Sequence, residues 1–371
     1  MEHRKQHTVI FLLILYIIAL GVRPVSSFAA EKKSDPADSG TFTYKVIHPE
    51  NQIGSTGYFD LRMTPGQKQT VQIELNNPSE DKEVTVGISL SGAKTNANGV
   101  LEYGPAAIKK DASLTYDFEK IVTGPKTVKL NPGETKMLDL AIAMPEEAYD
   151  GYIAGGIQLE VVLTKEAKAL RKKQTGIVND YAFLVGMLLS ETDKEVAPEM
   201  KLNNIYAELS NYRNAIFVNF SNVTMGYAKN MTVDFQVMKK GSDEVLYDTK
   251  KADMRMAPNS MIDFPLVMNG DQMVPGKYTG HVVVKSGDQK WEWTEDFEIT
   301  NEEAEKYNKQ DVSLVQERGI NWFLIIGIAA GVLTALLVIF LLVHSMNKRK
   351  KRKQKQQKRA KKKKAPADKN A

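Results

Sequence analysis

One segment limits this chain more than any other: Trp322–Val343, 22 residues without a charge. At about 1.5 Å per residue a helix over it spans roughly 33 Å, close to the hydrocarbon thickness of a bilayer. A soluble core helix is rarely apolar on every side for that length, so a membrane span is expected at 322–343. Trp322 stands at its start, where an amphipathic ring favours the interface. Lys348–Lys364 follows, with 13 Lys or Arg in 17 residues. Such a basic block marks the cytoplasmic side. It also suits anionic lipid headgroups, whereas its lack of aromatic residues argues against nucleic acid. Residues 344–371 are expected to be a disordered basic tail.

The amino-terminal end carries a second apolar run, Val9–Val22, of 14 residues behind Arg4 and Lys5. Ser27-Phe28-Ala29 then offers small residues where a signal peptidase reads. Residues 1–29 are therefore expected to be a secretory signal, with an uncleaved anchor as the alternative. The formal net charge is +5, but residues 347–371 carry +13 and residues 1–30 carry +2, which leaves −10 for the body. The body is thus no basic nucleic-acid module. Absence of cysteine excludes disulfides, thiolate metal sites, cysteine nucleophiles and a lipid-modified cysteine.

Between the two apolar segments the pattern is β. Residues 31–40 are polar and read as a leader. Gln69–Leu75 alternates, with Val71, Ile73 and Leu75 on one face; Glu83–Leu90 alternates again after Asn76-Asn77-Pro78. Thr127–Leu130, Lys136–Ala143 and Tyr152–Leu163 continue the series. Short strands between Gly, Pro and Asn turns indicate a sandwich rather than a parallel α/β sheet. A repeat supports two of them. Pro132-Gly133 opens a strand and Asp150-Gly151-Tyr152 leads into the next; Pro258-Asn259 and Pro275-Gly276-Lys277-Tyr278 do the same, with 20 residues from Pro to Tyr in both. A tyrosine entering a late strand behind a glycine turn is a feature of immunoglobulin-like sandwiches. The expected fold is all-β: two tandem immunoglobulin-like sandwiches, one transmembrane helix and the basic tail. The helix-prone run Lys165–Gln174 is either the linker between them or a loop within one hairpin of the first; Val196-Ala197-Pro198 is a second candidate linker. Asn301–Arg318 reads as a polar juxtamembrane stalk.

Catalytic signals are weak. Of five histidines only His48 and His281 fall in the body, which disfavours a histidine triad or a multi-histidine zinc site. The sequence holds no Walker loop, no G-x-S-x-G and no H-E-x-x-H. No cofactor is implied. Asn219, Asn222 and Asn230 begin N-x-S/T triplets, but a glycosylated ectodomain of that kind would normally carry disulfides.

Binding signals are better. Asn96, Asn98 and Tyr103 combine amides, which match sugar hydroxyls, with an aromatic face for a sugar ring. The ordinary alternative is that Asn98-Gly99 simply makes a turn. Trp291 and Trp293 share one face of a strand and are either core or an aromatic docking patch.

These residues also carry a resemblance. The runs Asn51-Gln52, Gly57-Tyr58-Phe59-Asp60-Leu61, Pro65-Gly66-Gln67, Thr95-Asn96-Ala97-Asn98-Gly99 and Asp150-Gly151-Tyr152 with Gly155-Gly156 resemble the first domain of the WxL-interacting proteins of Gram-positive bacteria. Tyr181–Ser190, Arg213-Asn214-Ala215, Pro258-Asn259-Ser260 and Pro275-Gly276-Lys277-Tyr278 resemble the second. The resemblance implies a peptidoglycan-binding first domain, 41–164, and a second domain, 165–310, that takes WxL-domain surface proteins or host extracellular matrix proteins. It supplies no residue-level site. The chain's own literal W-x-L, Trp322-Phe323-Leu324, lies inside the expected span. The combined expectation is a non-enzymatic adaptor, anchored in the cell membrane with its ectodomain in the wall and Asn96, Asn98 and Tyr103 on the wall. Trp291 and Trp293 would meet the protein partner. The alternatives are a carboxylate-dependent wall hydrolase and a membrane receptor.

Overall fold

In the computed structural model of the chain, residues 42–163, 165, 169, 182–314 and 322–363 are described. The signal segment 1–29, the leader and most of the charged run 165–174 lie outside the described residues.

The first sandwich is built from β1 (Thr43–Ile47), β2 (Phe59–Arg62), β3 (Lys68–Asn76) and β4 (Val84–Gly92), then the short hairpin β5 (Lys94–Thr95) and β6 (Leu101–Glu102). A helical turn α1 (Phe118–Ile121) leads to β7 (Val122–Thr123), β8 (Thr127–Leu130), β9 (Thr135–Ala143), β10 (Ile153–Val161) and β11 (Ala182–Ser190). One sheet has the order β1-β3-β9-β7, the other β2-β11-β10-β4-β8. Alternation sets the faces, as expected. Val71, Ile73 and Leu75 of β3 are buried beside Leu138, Leu140 and Ile142 of β9, with Val71 opposite Leu140 and Ile73 opposite Leu138. Val84, Val86 and Ile88 of β4 and Ile157 and Leu159 of β10 close the core from the other sheet. Phe118 of α1 caps that core, and the missing side chain of Gly155 in β10 is what admits its ring.

Strand β11 belongs to one sheet of the first sandwich. It pairs antiparallel with β10 and parallel with β2, so it completes the first sandwich. A boundary at residue 165 therefore falls inside the β10–β11 hairpin, and the chain crosses to the second sandwich between Ser190 and Met200.

The second sandwich comprises β12 (Met200–Ser210), β13 (Arg213–Asn222), β14 (Ala228–Lys239), β15 (Val245–Met256), β16 (Ser260–Val267), β17 (Gly276–Ser286) and β18 (Gln289–Ile299). Its sheets have the orders β12-β13-β16 and β15-β14-β17-β18. The repeat seen in the sequence maps onto equivalent strands. β3 neighbours β9 as β13 neighbours β16, and β4 neighbours β10 as β14 neighbours β17. This is the pairing of an immunoglobulin-like sandwich.

Both sandwiches, apart from two end loops, form one compact unit. A second unit holds the loops 208–214 and 267–275 together with everything from Thr300 onward. There, α2 (Asn301–Gln310) starts at a capping box formed by Thr300 and Glu303. Asn308 accepts from the Met273 N–H, donates to the Met273 carbonyl and accepts from the Asn214 amide. Buried Asp311 accepts from the Asn214 N–H at 2.7 Å. The first part of the expected stalk is thus a helix docked on two loops, which explains the Arg213-Asn214-Ala215 run. α3 (Trp322–Lys363) contains a stretch long and apolar enough to cross a membrane. It continues as helix through the basic block to Lys363, in keeping with the helix propensity of Lys, Arg and Gln.

Candidate functional site

The segment Thr95–Tyr103, chosen from the sequence for wall contact, lies against the second sandwich. Thr95 and Ser260 are almost fully buried, and their hydroxyl oxygens are 2.7 Å apart. The Ala257 N–H donates to Thr95, and the Ser260 hydroxyl donates to the Ala257 carbonyl. Thr95 must then donate to Ser260, which closes a small ring of bonds with no unmet partner. Alongside it, the Arg255 N–H donates to the Gly99 carbonyl at 2.8 Å, and the Tyr152 N–H to the Met225 carbonyl at 2.9 Å. Asn259 donates from its amide to the Ser113 carbonyl, and Ser221 donates to Asp111. Gly99 and Gly151 both have positive φ and sit where a β-carbon would strike Met254 and the Met225 carbonyl. The runs Thr95–Gly99 and Pro258–Ser260 are therefore two halves of one joint.

Asn96, Asn98 and Tyr103 take up different positions in it. The Asn96 side-chain oxygen accepts from the N–H groups of Asn98 and Val100, and its amide donates to Glu102 at 2.6 Å. That is the turn alternative: the amide is spent on its own loop. Asn98 is exposed and accepts from the Lys251 ammonium at 3.0 Å. Tyr103 is half-buried, with its hydroxyl 3.0 Å from that of Tyr227. Burial raises the Tyr103 phenol pKa, with the bond to Tyr227 partly offsetting it; burial also pushes Tyr227 well up, helped by Tyr103.

Trp291 and Trp293 stand on the edge strand β18, opposite Val284 and Val282, whose side chains are buried. Both indoles are half-buried on this core-facing side. Trp291 donates to Glu199 at 3.1 Å, and the Trp293 ring lies 6.0 Å from that of Phe220. They close the side of the sandwich and leave part of each ring accessible.

A feature with no motif in the sequence lies on the first sandwich. β4 pairs with β10 over Val86–Gly92, but with β8 only over Val84–Gly87, plus one bond from the Ile88 N–H to the Lys126 carbonyl. Where β8 leaves, a groove of about 760 Å³ opens between β4, β7 and the 105–107 segment. Ser89, Ser91, Lys94, Glu119 and Lys126 give it polar groups, and Leu90, Pro105, Ala106, Ala107 and Pro125 its apolar lining. Lys94 donates to the Ala106 carbonyl and so fixes one wall. The sequence shows only an indirect sign, a four-residue β8 facing a nine-residue β4.

Comparison with known proteins assigns both sandwiches. Residues 42–161 match the model of the WxL-interacting-protein peptidoglycan-binding domain, and residues 172–309 that of its host-binding domain. The chain belongs to the WxL-interacting proteins. In this WxL-interacting protein the host-binding match begins before β11, so the sequence of the second family domain supplies a strand of the first sandwich. No curated protein matches the chain. Among solved structures it is similar to a CsuC–CsuE chaperone–tip subunit complex from Acinetobacter baumannii. That match has 12% identity, 68% of this chain and 97% of that one covered, and a TM-score of 0.30. The class 5 fimbriae chaperone CfaA matches at 13% identity over 68% and 99%, with a TM-score of 0.27. At these scores the likenesses carry no argument; the sandwich assignment rests on the strand pairing.

Proposed function

We propose that this chain is a membrane-anchored, non-catalytic adaptor. Its first sandwich holds peptidoglycan, and its second holds a WxL-domain surface protein or a host matrix protein. The observation that carries the reading is the pair of family domains, one for peptidoglycan and one for a host, joined in one compact unit. The apolar part of α3 supplies the anchor, and the basic residues after it favour a cytoplasmic end. Within this reading the exposed Asn98 and the accessible edges of Trp291 and Trp293 are ligand contacts, while the Asn96 side chain holds its own turn and Tyr103 meets Tyr227 across the joint.

The test uses the full-length protein in detergent. It should co-sediment with purified peptidoglycan without releasing soluble wall fragments. Release of fragments would favour the hydrolase alternative, and failure to sediment would remove the wall from the account. Protease added to wall-stripped cells should digest the sandwiches and spare the basic end; the reverse pattern would overturn the orientation.

A further inference from the structure

The groove beside β4 has a composition that discriminates between the two halves of peptidoglycan. Sugar rings are normally held by packing against an aromatic face. None of the residues lining this groove is aromatic. Its apolar lining is aliphatic, from half-buried Leu90 and Ala106 with exposed Pro105, Ala107 and Pro125, and its size lies within the range of small-ligand sites. Small methyl-bearing side chains fit such a lining.

The wall of the groove offers backbone as well. Even-numbered residues of β4 point their N–H and C=O groups toward β8, as the Ile88 bond to Lys126 shows. Beyond that bond the β8 ladder has ended, so Leu90 presents its backbone groups on the groove side. A strand edge of this kind pairs with peptide backbone. Lys126 is exposed at the rim and Lys94 lies within the lining, so two ammonium groups can meet carboxylates. Glu119, which pairs with Lys110, gives a carboxylate on the same wall for an amine.

We propose that this groove binds the peptide stem of peptidoglycan: a short chain of small residues with free carboxylates, held by the Leu90 backbone and the two lysines. The inference rests on the reading that the first sandwich binds the wall, and it names the part of the wall that is read.

The experiment titrates the full-length protein in detergent with three probes: whole purified peptidoglycan, a soluble Ala–γ-Glu–Lys–Ala–Ala stem peptide, and glycan strands stripped of peptide by an amidase. Wild-type protein should bind the first two and not the third. Lys126→Glu should weaken stem-peptide binding at least tenfold, and Ser89→Tyr, which fills the groove, should do the same, both with unchanged thermal melting. Because Lys126 is exposed, Lys126→Ala gives a second variant that spares the fold, and it should lie between wild type and Lys126→Glu. If the protein binds stripped glycan and not stem peptide, or binds stem peptide equally in all variants, the groove assignment is overturned while wall binding stands. If wild type binds none of the three, the wall-binding reading itself fails.

Discussion

The hydroxyl of Tyr103 in the first sandwich lies 3.0 Å from the hydroxyl of Tyr227 in the second, with the Tyr152 ring 5.6 Å from that of Tyr227. Three tyrosines thus meet across the joint. Each phenol can satisfy the other only when the two sandwiches are in register.

This pair predicts an alkaline limit to stability. Both phenols titrate above their ordinary value of 10.0 in the folded chain, chiefly through burial. A raised folded pKa contributes stability that is complete below the unfolded value and is lost as pH rises above about 10. Thermal melting of the full-length protein should therefore fall steeply above that pH. Tyr227→Phe should cost about 1 kcal/mol at neutral pH and make the alkaline fall shallower. An unchanged alkaline slope would show that this pair does not set it.

The Thr95 ring of hydrogen bonds gives a second prediction. Thr95→Val keeps the shape but leaves the Ala257 N–H without its acceptor, at a cost of about 1–3 kcal/mol. Chemical denaturation compared with wild type reads the difference, and no loss would mean the hydroxyl is dispensable.

Gly99→Ala tests the close approach of the two sandwiches. A β-carbon there would meet Met254 within 2.6 Å, and the backbone has a φ of +70°. Destabilisation of about 1–3 kcal/mol is expected, with faster proteolysis between Ser190 and Met200. A protease pattern identical to wild type would contradict a tight joint.

Trp293→Ala should destabilise the protein by about 2 kcal/mol, because the ring is only half-buried beside Phe220. Loss of more than twice that in a melting experiment would mean a fully buried core role. Loss of partner binding without any change in melting would mean a docking role alone.

Much of the fold was legible because burial in a sandwich writes itself as alternation. Val71, Ile73 and Leu75 declare their face, and the Pro-to-Tyr repeat placed β9–β10 and β16–β17 in equivalent positions. What was not legible depended on contacts distant in sequence. Asn96 and Tyr103 look like ligand contacts because amides and phenols suit both sugars and joints. Asn96 bonds Glu102 within its own hairpin, whereas Tyr103 meets Tyr227 across the joint, and only the second contact is distant in sequence. The Tyr181–Ser190 run resembles the second family domain, yet nothing local says which sandwich its strand joins. The groove was invisible because it arises from where β8 stops, and a missing stretch of strand leaves no motif.

The two sandwiches lie in one compact unit, so their separation should be fixed. The chain has no cysteine, which makes paired spin labels clean to place. Labels at Lys45→Cys and Lys285→Cys, both exposed positions, report the separation by pulsed electron resonance in the full-length protein. The account predicts a single narrow distance distribution that broadens when Tyr103→Ala and Thr95→Val are combined. A broad distribution in the otherwise wild-type protein would contradict it.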